Sequence, residues 1–188
     1  MRRLLGIVFM LIATLAILGC GADSGSKDIF TEPGLAAKAI AELKERPELK
    51  GKDIQIFNHV VIMEYEDIKD RIDIQILVPG TDDKVNNYFY QKGKWSDPEP
   101  DKYSGNLVVK DHIIPIDTID FSKVPEIYKV AEEKAKTIEN GKVEKSLVYL
   151  FDSYEKQHKA YIGIKGSKEK CTAIFDSNGN FLQLIKDE

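Results

Sequence analysis

The sequence predicts an α+β protein of two tandem units, each a helix followed by an antiparallel meander, with the helices packed on one face of the sheet. Three observations predict it. The apolar period changes from 3.6 to 2 twice, once between Pro47 and Ile54 and again between Asn140 and Val143. The punctuation recurs: Pro33 and Pro125, 92 residues apart, open the helical stretches, while Gly93 and Gly179, 86 apart, sit in turns that lead to Trp95 and Phe181. With 43% hydrophobic and 31% charged residues, the chain has enough apolar side chains for a core under each helix.

Before the first unit lies a segment of different character. Arg2 and Arg3 precede an unbroken apolar run over 4–18, followed by Gly19-Cys20 and then by the small, polar Gly21-Ala22-Asp23-Ser24-Gly25-Ser26. A basic start, an apolar middle and a small residue before the cut make a secretory signal. The run of 15 residues is shorter than the roughly 20 needed to span a bilayer. Ile17-Leu18-Gly19-Cys20 resembles the lipobox of bacterial lipoproteins. That resemblance implies diacylglyceryl on the Cys20 sulfur, cleavage before Cys20, and anchoring through lipid. Gly21 at the next position, where the inner-membrane sorting signal has Asp, implies the periplasmic side of the outer membrane in a two-membrane bacterium. With one membrane it implies the outer leaflet of the cell membrane.

The expected division is a signal peptide over 1–19, a lipidated tether over 20–30, a first unit over 31–95, a proline-rich acidic linker and crossing segment over 96–121, and a second unit over 122–188. In the first unit Thr31 reads as a helix N-cap, and Leu35, Ala36, Ala39, Ile40 and Leu43 share one stripe that ends before Pro47. Strands follow over 54–66, 71–78 and 85–90, with a turn at Lys92-Gly93-Lys94. In the linker, Pro98 and Pro100 demand an extended chain, and a short strand is expected over 107–109. Ser122 reads as the second cap. Val124, Ile127, Tyr128, Ala131, Ala135 and Ile138 form the second stripe, and strands follow over 143–151, 159–164 and 171–175, with a tight turn at Asn178-Gly179 and a last run over 181–184.

This order resembles the PepSY-like and β-lactamase-inhibitor-protein-like group. The residues that carry the resemblance are Tyr88-Phe89-Tyr90-Gln91-Lys92-Gly93-Lys94-Trp95 with the prolines after it, and Asp120-Phe121-Ser122-Lys123-Val124-Pro125. The resemblance implies a non-enzymatic protein-binding module, inhibitory or assembly-assisting, whose concave sheet is the binding face. It carries over no catalytic residue.

Chemistry-bearing patterns are sparse. Without residues 1–19 the chain holds 25 basic against 31 acidic residues, a balance that disfavours nucleic acid as a partner. His59, His112 and His158 stand at no metal-ligand spacing and read as satisfied or solvated; no metal and no cofactor is expected. Cys171 shares a strand face with Ala173 and Phe175 and reads as an inert core thiol. Asp176-Ser177-Asn178-Gly179-Asn180 has its glycine out of place for a calcium loop and reads as a hairpin turn. No nucleophile elbow or phosphate-cradling loop occurs, so no enzymatic activity is expected.

The aromatic residues give the candidate site. Tyr88, Tyr90 and Trp95 of one hairpin are the expected protein-binding residues if they stand on the open sheet face, and core residues if they face the helix. The expected partner is then an envelope protein. A carrier or sensor of a small apolar ligand, held between helices and sheet, is the alternative, and a lipoprotein that merely coats the membrane is a third reading.

Overall fold

The computed structural model describes residues 27–101 and 108–187. Helix α1 spans Leu35–Lys44 and is followed by β1 (Gln55–Tyr65), β2 (Ile68–Leu77), β3 (Val85–Gln91), β4 (Lys94–Trp95) and β5 (Glu99–Pro100). Three short 3₁₀ turns (Val109–His112, Ile116–Thr118, Phe121–Lys123) and strand β6 (Ile113–Pro115) lead to α2 (Val124–Ala135). The chain closes with β7 (Lys142–Asp152), β8 (Gln157–Lys165), β9 (Lys170–Asp176) and β10 (Phe181–Lys186).

All ten strands belong to one antiparallel sheet, ordered β10-β9-β8-β7-β1-β2-β3-β4, with β5 on β3 and β6 on β1. This overturns the expected pair of tandem helix-plus-meander units. The join is a ladder between β1 and β7, from His59 opposite Leu150 to Met63 opposite Ser146. Two separate sheets would each have left a first strand with an open edge, and pairing those strands with one another satisfies both. The segment over 96–121 is no free linker either. Glu99 and Pro100 pair with Asn87 and Asn86 at the edge of β3, where a proline costs no ladder bond. Ile113, Ile114 and Pro115 pair with Phe57, Ile56 and Gln55, extending the line of β7 along β1. The strand expected over 107–109 is absent at Val109, which starts a 3₁₀ turn; residue 107 lies outside the described residues.

Local chemistry accounts for the turns. Lys92 and Gly93 both have positive φ, 51° and 77°, the pairing that matches a two-residue hairpin to strand twist. Gly179 has φ 82°, and a Cβ there would stand 2.9 Å from the Lys123 Cβ, so only glycine fits between β9 and the start of α2. Neither expected cap forms. Gly34, in the left-handed region, is the residue before α1, and α2 grows out of the 3₁₀ turn over Phe121–Lys123, whose first free amide, that of Ser122, donates to Asp120 Oδ1 at 3.0 Å.

Both helices cover the same face. Ala36, Ala39, Ile40 and Leu43 of α1, and Val124, Ile127, Ala131 and Ala135 of α2, are buried with Ile62, Ile72, Ile74, Ile76, Leu147, Ile162 and Phe175 of the sheet. Ile29 and Phe30 are buried in the same cluster, so the segment expected to be a tether is already core by Ile29. On the opposite face, Phe57, Val85 and Val109 form a small second cluster with Leu77 and Ile113. No helix among the described residues is long and apolar enough to cross a membrane.

Candidate functional site

Strand parity decides which aromatic residues are available. On β3, Tyr88 and Tyr90 point to the helix side, where they are 2% and 3% exposed, and Phe89 points the other way. The Trp95 ring lies 5.3 Å from that of Tyr90, and its Nε1–H donates to the Ala39 carbonyl at 2.7 Å. The Arg46 guanidinium stands 5.8 Å over the Tyr88 ring. Burial pushes the Tyr90 hydroxyl up to about 12. Tyr88, Tyr90 and Trp95 thus form the bed on which α1 rests, not a set of outward anchors. Cys20, the expected lipid site, lies outside the described residues.

The face away from the helices holds a different set. Residues directly opposite one another in a ladder share a face. The registers place Gln183, Ile174, Tyr161, Val148, Val61, Asp73 and Phe89 in one row across seven strands. Leu150 and Ile185, 43% and 42% exposed, flank it on the same face. The charged groups nearest the middle of the row are neutralised locally. Arg71 Nε stands 2.7 Å from Asp73, with the guanidinium 4.9 Å over the Phe89 ring. Lys159 Nζ is held by Asp152 at 2.9 Å and Glu155 at 2.7 Å. What remains is an apolar strip across β9, β8, β7 and β1, made by Ile174, Tyr161, Val148 and Val61, in which Ile174 is itself buried and the other three are half-buried. One signal in the sequence points to it: over 147–151 both phases of the alternation are apolar, Leu147 and Tyr149 on one, Val148 and Leu150 on the other.

The layer between helices and sheet, where a carrier would hold its ligand, is filled by side chains at or near zero exposure. Two polar groups in it stand out. The Tyr149 hydroxyl and both ring nitrogens of His158 are buried with no hydrogen-bond partner among the described residues. His158 is therefore neither satisfied nor solvated, contrary to expectation. Its ring lies 6.2 Å from Phe151, against which His112 packs at 5.8 Å. Burial, with a smaller effect of His59, pushes His158 down to about 4. No three His, Cys, Asp or Glu side chains among the described residues gather as metal ligands. Cys171 is 6% exposed, and burial pushes its thiol up.

No family model matches the chain, and no curated protein sequence matches it. Among solved structures it resembles a protein of Clostridium difficile 630 described as a "putative lipoprotein". The TM-score is 0.56 at 16% identity, over 84% of this chain and 95% of that one. The likeness is one of fold, and it carries no PepSY-like or inhibitor-like repeat with it.

Proposed function

We propose that this protein is a bacterial envelope lipoprotein, anchored through Cys20, that binds a partner protein on its bare sheet face and catalyses no reaction. The anchor is supported by the Ile17-Leu18-Gly19-Cys20 motif behind its apolar run, and by a fold shared with a protein described as a "putative lipoprotein". The observation that carries the binding role is the half-buried row Tyr161, Val148 and Val61 on the face that neither helix covers, with Phe89 beyond Asp73. A strip of this kind, with the aromatic Tyr161 and the paired Arg71–Asp73 and Lys159–Asp152 beside it, suits a protein surface that is itself apolar and uncharged at its centre.

A photo-crosslinking residue at Tyr161 tests the reading, with one at Lys38 on the exposed side of α1 as the control. In envelope extracts the expected result is one stoichiometric adduct from position 161 that Val148→Ala weakens, and none from position 38. Equal adducts from both positions, or none from 161, would sink the binding role.

A further inference from the structure

Three lysines face one another at one end of the sheet. Lys142 of β7 stands opposite Lys165 of β8, and Lys165 stands opposite Lys170 of β9. All three are exposed. Side chains so opposed start about 5 Å apart, and like charges in that position work against the fold. Three of the neighbouring carboxylates are engaged elsewhere. Glu139 takes Lys168 at 2.8 Å and Glu169 takes Lys186 at 3.0 Å. Asp187 accepts from Thr172, while Glu144 lies over Gly163. Among the described residues no ion pair reaches Lys142, Lys165 or Lys170.

The same end receives the N-terminal segment. Lys145, three residues beyond Lys142, holds both Asp28 and Glu64, the latter at 3.0 Å. The Ile29 amide donates to the Lys69 carbonyl at 2.9 Å. At about 3.4 Å per residue along a strand and about 5 Å between strands, the lysine row lies within about 20 Å of that junction. Only residues 21–27 separate Cys20 from Asp28. Seven residues reach at most about 25 Å even fully extended. A lipid on Cys20 therefore leaves the lysine row within reach of the headgroup layer. The opposite turn, over 153–156, stands a full strand of about 35 Å further out.

We propose that Lys142, Lys165 and Lys170 contact the anionic phospholipid headgroups of the membrane that holds the anchor, and so orient the body with its 153–156 turn outward. The inference rests on the anchor reading above, not on the protein-binding face. The net charge of the body is negative, so an anionic surface repels it as a whole and attracts it only through these three lysines; the effect is orientation more than affinity.

The test uses the lipidated chain in vesicles of phosphatidylcholine, with or without phosphatidylglycerol, containing a headgroup spin label as quencher. A fluorophore is placed at Ser167→Cys beside the row or at Ser153→Cys at the far end, and buried Cys171 is left in place. With phosphatidylglycerol the probe at 167 should be quenched severalfold more than the probe at 153. High salt, or Lys142→Ser, Lys165→Ser and Lys170→Ser together, should abolish that ratio while circular dichroism stays unchanged. A ratio indifferent to phosphatidylglycerol, or unchanged in the triple variant, overturns the proposal and leaves the row to an acidic protein. Mass spectrometry separates the two failures. An unacylated Cys20 peptide overturns the anchor and the proposal with it, whereas an acylated one without a salt-sensitive ratio overturns the proposal alone.

Discussion

The indole of Trp95 donates to the main-chain carbonyl of Ala39 at 2.7 Å, which ties the two-residue strand β4 to the middle of α1. Trp95→Ala removes a large part of the bed under α1 and should destabilise the protein by about 3 kcal/mol. Trp95→Phe keeps the ring and removes only the donor, at about 1 kcal/mol. Urea unfolding followed by far-UV circular dichroism gives both numbers. Neither variant should change binding while it remains folded, because the side chain faces the helix.

His158 makes stability depend on pH with a definite sign. Its folded value is depressed to about 4 from an ordinary value near 6.5, so the unfolded chain takes up the proton more readily. The stabilising contribution of the neutral ring is complete above pH 6.5 and drains away as the pH falls toward 4. Between pH 8 and pH 5 the loss should be about 2 kcal/mol. His158→Phe, which cannot be protonated, should flatten that part of the profile, and an unchanged slope would refute the assignment.

Asp70 is 4% exposed and accepts from the amides of Lys92 and Gly93, both at 2.9 Å. The carboxylate thereby holds the turn that carries Trp95 to α1. Asp70→Ala leaves the Lys92 and Gly93 amides of a part-buried turn without their acceptor and should cost about 1 to 2 kcal/mol. Hydrogen exchange should report it first at the Lys92 and Gly93 amides.

One sheet implies one unfolding transition. Leu147, fully buried beside the β1–β7 ladder, is opposite Ile62. Leu147→Ala should cost about 3 kcal/mol, and Trp95 fluorescence in the first half should shift together with amide protection of β9 in the second. Two separated transitions would contradict the joined sheet.

The strands themselves were legible because their chemistry is local. Ile72, Ile74 and Ile76 alternate with Arg71, Asp73 and Gln75, and Lys92-Gly93 spells its own turn. Alternation says that Tyr88 and Tyr90 share a face, but not which face the helix will cover. That depends on where α1 lands, which is decided by packing across the chain. The pairing of Val60 with Tyr149 is equally invisible, since no local pattern encodes which strand a free edge will meet. The lysine row needs two registers, Lys142 to Lys165 and Lys165 to Lys170, before three scattered lysines become neighbours. His158 sat inside a legible strand, yet only the packed core shows that no described residue meets its nitrogens.

Where the N-terminal segment joins the body also sets how the body bears load. Asp28 and Ile29 fasten to Lys145, and through it Glu64, and to Lys69, on β7, β1 and β2, which are neighbours in the middle of the sheet. A pull on that segment runs along these strands and is met by many ladder bonds at once, as shear. Had the segment joined at β10 or β4, the same pull would peel one edge strand at a time, breaking its bonds in sequence. A domain held by its centre resists such a pull far better than one held by its rim.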